Sequence, residues 1–155
     1  MILALENIRS LYNVGAILRT ASFFGIKNIL LVGYSGRKTD GLDELHEKVK
    51  KTALGAEKDL EIKFIKNSQA LIKFSRDNQL KLIAIEQDKK SVSLQKWQPK
   101  QNSVLVLGNE LQGCSLQVLK AADEIVEIPR RGQKGSLNVS VAAGIIIYRF
   151  TKACH

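Results

Sequence analysis

Short apolar runs rich in β-branched residues recur along the chain and alternate with segments of helical periodicity. The runs lie at Ile2–Leu5, Asn28–Val32, Ile62–Ile65, Lys81–Ile85, Ser103–Leu107 and Ile125–Ile128. Strands that alternate with helices in this way are typical of α/β domains, in which helices flank a parallel sheet. We therefore predict an α/β fold with a mainly parallel sheet.

The helical pattern is clearest after the first apolar run, where Asn13 is the expected N-cap and Gly25 the expected end. Arg19 points away from the apolar stripe of this helix, so it needs a partner other than the core. Further helices are expected over roughly Asp43–Leu54 and Ser68–Asp77. The stripe of the first helix is formed by Val14, Ile17, Leu18, Ala21 and Phe24.

The last predicted helix, from about Asn138 to Phe150, is apolar almost all round. Such a helix must be buried on more than one side, either inside the domain or against a second subunit. By contrast, the stretch from Gln87 to Gln101 is polar and rich in lysine, and we interpret it as a surface excursion.

Composition narrows the class of protein. With 155 residues and 45% hydrophobic content, we expect one domain covering residues 1–155. The 24 Lys and Arg residues outnumber the 15 Asp and Glu residues, and the formal charge of +9 favours polyanionic partners such as nucleic acid. No stretch predicts export or a membrane span, so we expect a cytoplasmic protein. Cys114 and Cys154 have no metal-binding spacing, and no metal site is predicted.

Three polar segments that contain glycine each follow a predicted strand. The first extends from Asn7 to Arg19, the second from Gly108 to Gly113, and the third from Ile128 to Ser140. Ligands of open parallel α/β sheets bind just beyond the carboxyl ends of the strands. The three segments are therefore expected to converge on one site.

Each segment taken alone also has an ordinary explanation. Glycines make turns, a Ser or Asn caps a helix, and Glu110 could be a solvated loop acid. However, Ser136, Asn138 and Ser140 follow one another at every second position into an apolar helix, which is more than one cap requires. A guanidinium group also matches the geometry of phosphate, so the arginines of these segments suit an anion.

The three segments resemble, in order and spacing, the motifs of the SpoU/TrmH-type branch of the SPOUT RNA methyltransferases. Asn7–Ala21 is similar to the first motif, and Leu105–Gly113, with its Gly-Asn-Glu sequence, is similar to the second. Ile128–Gly144, which contains Ser-Leu-Asn-Val-Ser, is similar to the third and most specific motif. The resemblance spans nearly the whole chain.

This resemblance implies a fold, a reaction and a cofactor. The fold would end in a C-terminal trefoil knot, and two copies would form a homodimer. The reaction would transfer a methyl group from S-adenosylmethionine to a ribose 2′-hydroxyl of structured RNA, either tRNA or rRNA, and leave S-adenosylhomocysteine. The cofactor-binding positions carried over are Leu107, Gly108, Asn109, Gly113, Ile128, Pro129, Leu137, Asn138 and Ser140.

The resemblance also makes Arg19 the main catalytic residue, supported by Asn13, Glu110, Ser136 and Asn138. Because a guanidinium group is hard to deprotonate, we expect Arg19 to bind phosphate and to stabilise the developing alkoxide. RNA contacts are expected from Arg9, Arg19, Arg130, Arg131 and Lys134, and Arg130 stands where many relatives have an apolar residue. No extension of the kind that grips RNA in longer relatives is predicted.

Three other functions remain as alternatives. An RNA-binding module with the same fold could lack catalysis, although the Arg19, Glu110 and Asn138 set argues against this. A nucleotide-cofactor enzyme of the Rossmann type is disfavoured because no Gly-x-Gly-x-x-Gly follows the first strand. A thiol enzyme using Cys114 is disfavoured because its sequence neighbours offer no base.

Overall fold

The computed structural model describes residues 1–38 and 43–153, and it confirms the α/β architecture. One sheet of parallel strands has the order β3-β2-β1-β6-β4-β7-β5. All six predicted strands are present, and their bounds differ from the prediction by at most one residue. The strands are β1 (Ile2–Glu6), β2 (Asn28–Val32), β3 (Glu61–Ile65), β4 (Lys81–Ile85), β5 (Val92–Ser93), β6 (Ser103–Leu107) and β7 (Glu124–Glu127).

Helices cover both faces of this sheet, and each face has its own apolar cluster. Helices α1 (Leu11–Phe23), α2 (Glu47–Ala53) and α5 (Val139–Ala153) pack on one face, whereas α3 (Ser68–Asp77) and α4 (Leu116–Ala121) pack on the other. A short 3₁₀ helix spans Ala56–Asp59. Because central strands are covered on both faces, they appear in the sequence as continuous apolar runs, and β6 is buried throughout.

The start of α1 differs from the prediction. Ser10, not Asn13, is the N-cap, because its side chain accepts the hydrogen bond from the Asn13 backbone N–H. The amide side chain of Asn13 is therefore available for other partners. The predicted end is confirmed, since Gly25 adopts a positive φ of 73° directly after the helix.

Helix α2 begins later than the predicted Asp43, at Glu47, with the ring of His46 as its cap. The preceding residues are held away from a helix by an antiparallel bridge between Arg37 and Leu45 and by the hydrogen bond from Lys38 N to Glu44 O. The glycine in the first motif has a packing explanation here. A Cβ atom on Gly15 would lie 2.7 Å from the carbonyl oxygen of Val49, so α1 and α2 can approach each other only with glycine at this position.

The structure differs from the prediction at one helix and at the predicted surface excursion. Helix α4 was not predicted, and the surface excursion at 87–101 contains β5 as well as the buried residues Leu94 and Trp97. The carbonyl oxygen of Trp97 accepts a hydrogen bond from the Arg149 guanidinium at 2.8 Å. This segment is therefore packed against the end of α5 rather than extended into solvent.

Helix α5 begins at Val139, as expected, but is buried on only one side within the chain. Its inward residues include Ala143, Ile146 and Ile147, whereas Val141, Ile145 and Tyr148 are exposed. Burial against a second subunit stays a prediction, as does the trefoil knot. Among the helices of the described residues, none is long and apolar enough to cross a membrane.

Candidate active site

A cavity of about 570 Å³ opens at the carboxyl ends of β4, β6 and β7. Its walls are the segments 107–113 and 128–137, and its remaining contacts come from residues 85–87, Val139 and Ala142. Two of the three polar segments therefore converge as the sequence predicted. The volume lies within the range of about 300–1,000 Å³ that is usual for small-molecule and cofactor sites.

The loop from Gly108 to Gly113 folds back on itself so tightly that it needs glycine at both ends. A Cβ atom on Gly108 would lie 2.2 Å from the backbone of Gly113 and Cys114. Gly113 has a φ of 70°, and a Cβ atom there would lie 1.9 Å from the carboxylate of Glu86. These glycines are thus required by the shape of the loop itself.

The side chain of Asn109 holds this loop together from inside. Its oxygen accepts hydrogen bonds from the backbone N–H groups of Leu111 and Gln112, at 2.9 and 3.0 Å. Its nitrogen donates to the carbonyl oxygen of Asn7 at 2.7 Å and to the hydroxyl of Tyr34 at 3.0 Å. Both ends of the amide are engaged, so Asn109 ties the cavity wall to the residues that follow β1 and β2.

Glu110 lies at the junction of the first and second segments. Its carboxylate accepts hydrogen bonds from the backbone N–H groups of Arg9 and Ser10, at 2.9 and 3.0 Å, and from the Asn13 amide at 3.0 Å. Partial burial raises the pKa of this carboxyl group, but the hydrogen bonds, led by that of the Arg9 N–H, together lower the pKa by more. Glu110 is therefore an ionised carboxylate that anchors the start of α1.

The hydrogen bonds continue from Asn13 to the third segment. The Asn13 side-chain oxygen accepts from the Asn138 amide at 3.2 Å, and the Asn138 oxygen accepts from the backbone N–H and the hydroxyl of Ser140, at 2.8 and 2.6 Å. Glu110, Asn13, Asn138 and Ser140 thus form one chain of hydrogen bonds that crosses all three sequence segments. Two of its links join residues 97 and 125 positions apart, so the sequence pattern did not reveal these contacts.

The segment 129–137 forms the opposite wall and has few bonds of its own. In the described parts of the chain, its hydrogen bonding to other segments is limited to that from the Gln87 side chain to the carbonyl oxygen of Gly135, at 3.3 Å. Most backbone polar groups of this wall are consequently available to a ligand. Arg130, Arg131 and Lys134 lie in the same wall and make it basic.

Glu86 and Gln87, which were not among the predicted site residues, follow β4 and together contact both walls. The Glu86 carboxylate accepts from the backbone N–H of Cys114 at 3.0 Å, while the Gln87 side chain reaches Gly135. The rule that identified the other segments also applies to these two residues, because they lie at the carboxyl end of a parallel strand. The predicted surface excursion begins at Gln87, whereas Glu86 was assigned to no element.

The predicted site residues divide into two groups. Lining the cavity are Leu107, Gly108, Asn109, Glu110, Gly113, Ile128, Pro129, Arg130, Arg131, Lys134, Ser136 and Leu137. Outside its lining are Asn13, Asn138 and Ser140, which belong to the hydrogen-bond chain, and the exposed side chains of Arg9 and Arg19. Arg19 makes no hydrogen bond or ion pair with any residue of 1–38 or 43–153.

Cys114 does not have the properties of a nucleophile. Burial, followed by the nearby charges of Glu6 and Glu86, raises the pKa of its thiol strongly, so it stays protonated. Cys154 lies outside the described residues. Within those residues, no group of three or more His, Cys, Asp or Glu side chains is arranged to hold a metal ion.

Residues 1–148 match the SpoU rRNA Methylase family. The chain is 32% identical over 149 residues to the tRNA (guanosine(18)-2′-O)-methyltransferase of Aquifex aeolicus, covering 96% of this chain and 67% of that protein. It is 31% identical to the 23S rRNA (guanosine-2′-O-)-methyltransferase RlmB of Acinetobacter baylyi, covering 96% and 58%. The AdoMet-bound rRNA methyltransferase structure from Sinorhizobium meliloti is 25% identical, with a TM-score of 0.84 over 97% of this chain and 55% of that one.

The fold and the motifs thus define an α/β methyltransferase-type domain, and the chain belongs to the SpoU rRNA Methylase family. It spans about two thirds or less of the length of the curated relatives described above. The activities in the names of those relatives refer to longer proteins.

Replacing Glu110 tests the anchor that joins the segments. At neutral pH, Glu110→Gln is expected to lower the free energy of unfolding by about 1 kcal/mol, as the loss of a helix-capping group does. Because the folded state lowers the pKa of Glu110, its stabilisation is complete above the unfolded pKa of about 4.3 and is lost as the pH falls through the lower, folded value. Urea unfolding at several pH values measures this difference.

The matched control for this experiment is Glu61→Gln. The Glu61 side chain is exposed and makes no hydrogen bond with the described residues. Its substitution should leave the unfolding free energy close to that of the wild type at every pH. A Glu110→Gln protein whose stability parallels the wild type from neutral to acidic pH would show that the carboxylate is not an anchor.

Proposed function

We propose that this protein transfers a methyl group from S-adenosylmethionine to a ribose 2′-hydroxyl of structured RNA, either tRNA or rRNA. The observation that carries the proposal is a cavity lined by two of the three motif segments, with the first segment joined to them through Glu110 and Asn138. Two relatives that match 96% of this chain are named as tRNA and 23S rRNA 2′-O-methyltransferases.

The cavity suits the proposed cofactor in size and chemistry. Its apolar side chains include Ile85, Leu107 and Ile128, and its 129–137 wall supplies backbone donors and acceptors. An adenosine group requires both an apolar slot and a few directed polar partners. S-adenosylmethionine would supply an already activated methyl group, so the remaining task for the protein is to position the hydroxyl in line with it.

Glu110, Asn13 and Asn138 have a positioning role in this proposal. Glu110 is ionised and already accepts three hydrogen bonds, so it is a poor acceptor for the proton of the ribose hydroxyl. Instead, the chain of bonds fixes α1 relative to Asn138, which precedes α5 and lies two residues after Ser136. Reaction geometry depends on such supports because small misplacements of the reacting groups are costly.

Arg19 is the proposed catalytic cation, although it does not line the cavity of its own chain. It lies six residues after Asn13, about 9 Å further along α1. Its exposed side chain belongs to the same face of α1 as Tyr12 and Phe23, which are 61% and 83% exposed. A free guanidinium on this face suits binding of an RNA phosphate and stabilisation of the developing alkoxide.

A homodimer would cover this face. The exposed Phe23 contacts the ring of the half-buried Phe24, which directly follows α1, and Phe24 in turn contacts the ring of Tyr148 on α5, with centroids 5.1 and 6.1 Å apart. Val141, Ile145 and Tyr148 are spaced by four and three residues and so form one stripe along α5. We propose that two copies pack through α1 and α5, and that Arg19 acts within the paired surface rather than in an isolated chain.

The RNA would bind across the basic side of the cavity. Arg130, Arg131 and Lys134 line the 129–137 wall, and Arg9 is exposed next to Glu110. Contacts of this kind attract the phosphate backbone without reading sequence. They support RNA as the substrate class but do not distinguish between tRNA and rRNA.

Incubation with radiolabelled S-adenosylmethionine and total RNA tests the reaction. Digestion to nucleosides should recover the label as a 2′-O-methylated ribose. The matched control is the same incubation with Glu61→Gln protein, which should label RNA equally. Label found only on a base, or absent from every RNA pool, would exclude the proposed reaction.

Arg19→Ala should reduce methyl transfer by about 100- to 1,000-fold, the usual cost of removing one donor from a site of developing negative charge. Because Arg19 lies outside the cavity, the affinity for S-adenosylmethionine, measured by calorimetry, should not change. The control Arg76→Ala removes an exposed arginine on α3, at the other face of the sheet. Equal loss of cofactor affinity and turnover in Arg19→Ala would contradict a role in the reaction itself.

Ile145→Asp should convert the proposed dimer to a monomer, because a charge on the α5 stripe cannot be buried without a partner. Sedimentation equilibrium at micromolar concentration measures the mass. The monomer should still bind cofactor but lose turnover, since Arg19 would lack its paired surface. The control is Leu116→Asp, an exposed position on α4, which should stay dimeric. A wild type that is monomeric at these concentrations would disprove the assembly.

A further inference from the structure

Tyr34 is presented to solvent from a rigid turn that follows β2. Gly33 has a φ of 65°, and a Cβ atom there would lie 2.0 Å from the Asn7 side-chain oxygen. Ser35 is fully buried, and its hydroxyl donates to the Leu5 carbonyl oxygen at 2.7 Å and accepts from the Ile8 N–H at 2.8 Å. The turn is thus pinned to the end of β1, with Tyr34 directed outward and 52% exposed.

The exposed ring of Tyr34 is also fixed at its far end. Its hydroxyl accepts a hydrogen bond from the side-chain nitrogen of Asn109 at 3.0 Å. The orientation of Asn109 is set by its bonds to Asn7, Leu111 and Gln112. A tyrosine anchored at both ends has little rotamer freedom left to lose when a ligand binds to its face.

The surroundings of Tyr34 provide the other groups that a nucleotide needs. Leu111 is 78% exposed, and its N–H is bonded to the same Asn109 side chain. Arg9 is exposed, and its N–H is bonded to Glu110, which follows Asn109 in the sequence. The hydroxyl of Tyr34 and the backbone N–H groups of Leu111 and Arg9 are therefore bonded to Asn109 and Glu110, which both line the cavity.

We propose that the ring of Tyr34 is a stacking platform for an unpaired nucleobase of the substrate RNA, and that Arg9 holds the adjoining phosphate. Single exposed tyrosines are common on protein surfaces. Tyr34 differs because the hydrogen bond that its hydroxyl accepts from Asn109 holds the ring in place, and because this bond joins it to the lining of the cavity. Proteins bind unpaired RNA bases by stacking them on exposed aromatic rings.

This inference rests on the proposed function only for its choice of RNA as the ligand. It adds that the nucleotide is recognised in an unpaired state, since a base within a duplex has no free face to stack on Tyr34. RNA with an exposed loop or a flipped base next to the reacting ribose would therefore be preferred to continuous duplex.

Binding to two RNA probes of equal charge separates base stacking from phosphate attraction. One probe is an oligoadenylate of about 12 nucleotides, within the length that single-strand sites accommodate, and the other is an abasic ribose-phosphate chain of the same length. Tyr34→Ala should weaken binding of oligoadenylate on the order of tenfold and leave binding of the abasic chain unchanged. Fluorescence anisotropy of labelled probes measures both affinities.

Two further variants separate the ring from its hydroxyl and from charge. Tyr34→Phe keeps the ring but releases its far end, so its loss of affinity for oligoadenylate should be clearly smaller than that of Tyr34→Ala. Arg9→Ala should weaken both probes alike and reduce the slope of log affinity against log salt concentration by about 0.7, as expected for one phosphate contact with a single strand. Leu54→Ala, which removes an exposed side chain at the end of α2, is the control and should change neither probe.

Three results would overturn the stacking site: unchanged oligoadenylate affinity in Tyr34→Ala, equal weakening of both probes, or a loss in Tyr34→Phe as large as in Tyr34→Ala. The last of these, or a loss of S-adenosylmethionine affinity in Tyr34→Ala, would mean that Tyr34 acts through Asn109 on the cavity wall. These measurements need no turnover. A wild type that methylates no RNA would refute the proposed function, whereas loss of the difference between probes with methylation intact would refute only the stacking site.

Discussion

The Glu110 carboxylate accepts hydrogen bonds from the start of α1 and from the Asn13 side chain. The Asn13 side chain in turn accepts a hydrogen bond from Asn138 at the start of α5. These bonds join a loop after β6, a helix after β1 and a helix after β7. Without them, each element would still pack on the sheet, but the relative positions of the motif residues would be set only by non-directional apolar contacts. The site therefore depends on a carboxylate that stays ionised and is used for structure.

The two walls of the cavity differ in how tightly hydrogen bonds and packing hold them in place. The 108–113 wall is closed by its own backbone contacts, by Asn109 and by Glu86, and it has no room for a side chain at either glycine. The 129–137 wall is bonded to the rest of the protein mainly at Gly135. A fixed wall opposite an under-bonded one suits a ligand that completes the hydrogen bonding of the second wall when it binds.

Basic residues and exposed apolar residues occupy different parts of the molecular surface. Basic residues of the third segment lie around the cavity, in agreement with the formal charge of +9, whereas α1 and α5 present adjoining apolar residues. Arg19 lies on the apolar surface rather than on the basic side. An arginine that pairs with none of the residues the structure describes, among exposed tyrosine and phenylalanine side chains, is difficult to explain as packing. This location links the proposed chemistry to the proposed dimer.

The sequence by itself determined the parallel α/β fold and the convergence of the second and third segments, because strand runs and post-strand loops are local patterns in which the order of the chain dictates the sheet edge. It also singled out Asn13, Glu110 and Asn138. Only the tertiary structure decided that these residues bond to one another, that Ser10 rather than Asn13 caps α1, and that Glu86, Gln87 and Tyr34 adjoin the site. Hydrogen bonds between residues about 100 positions apart depend on how elements pack, and no local periodicity records that geometry.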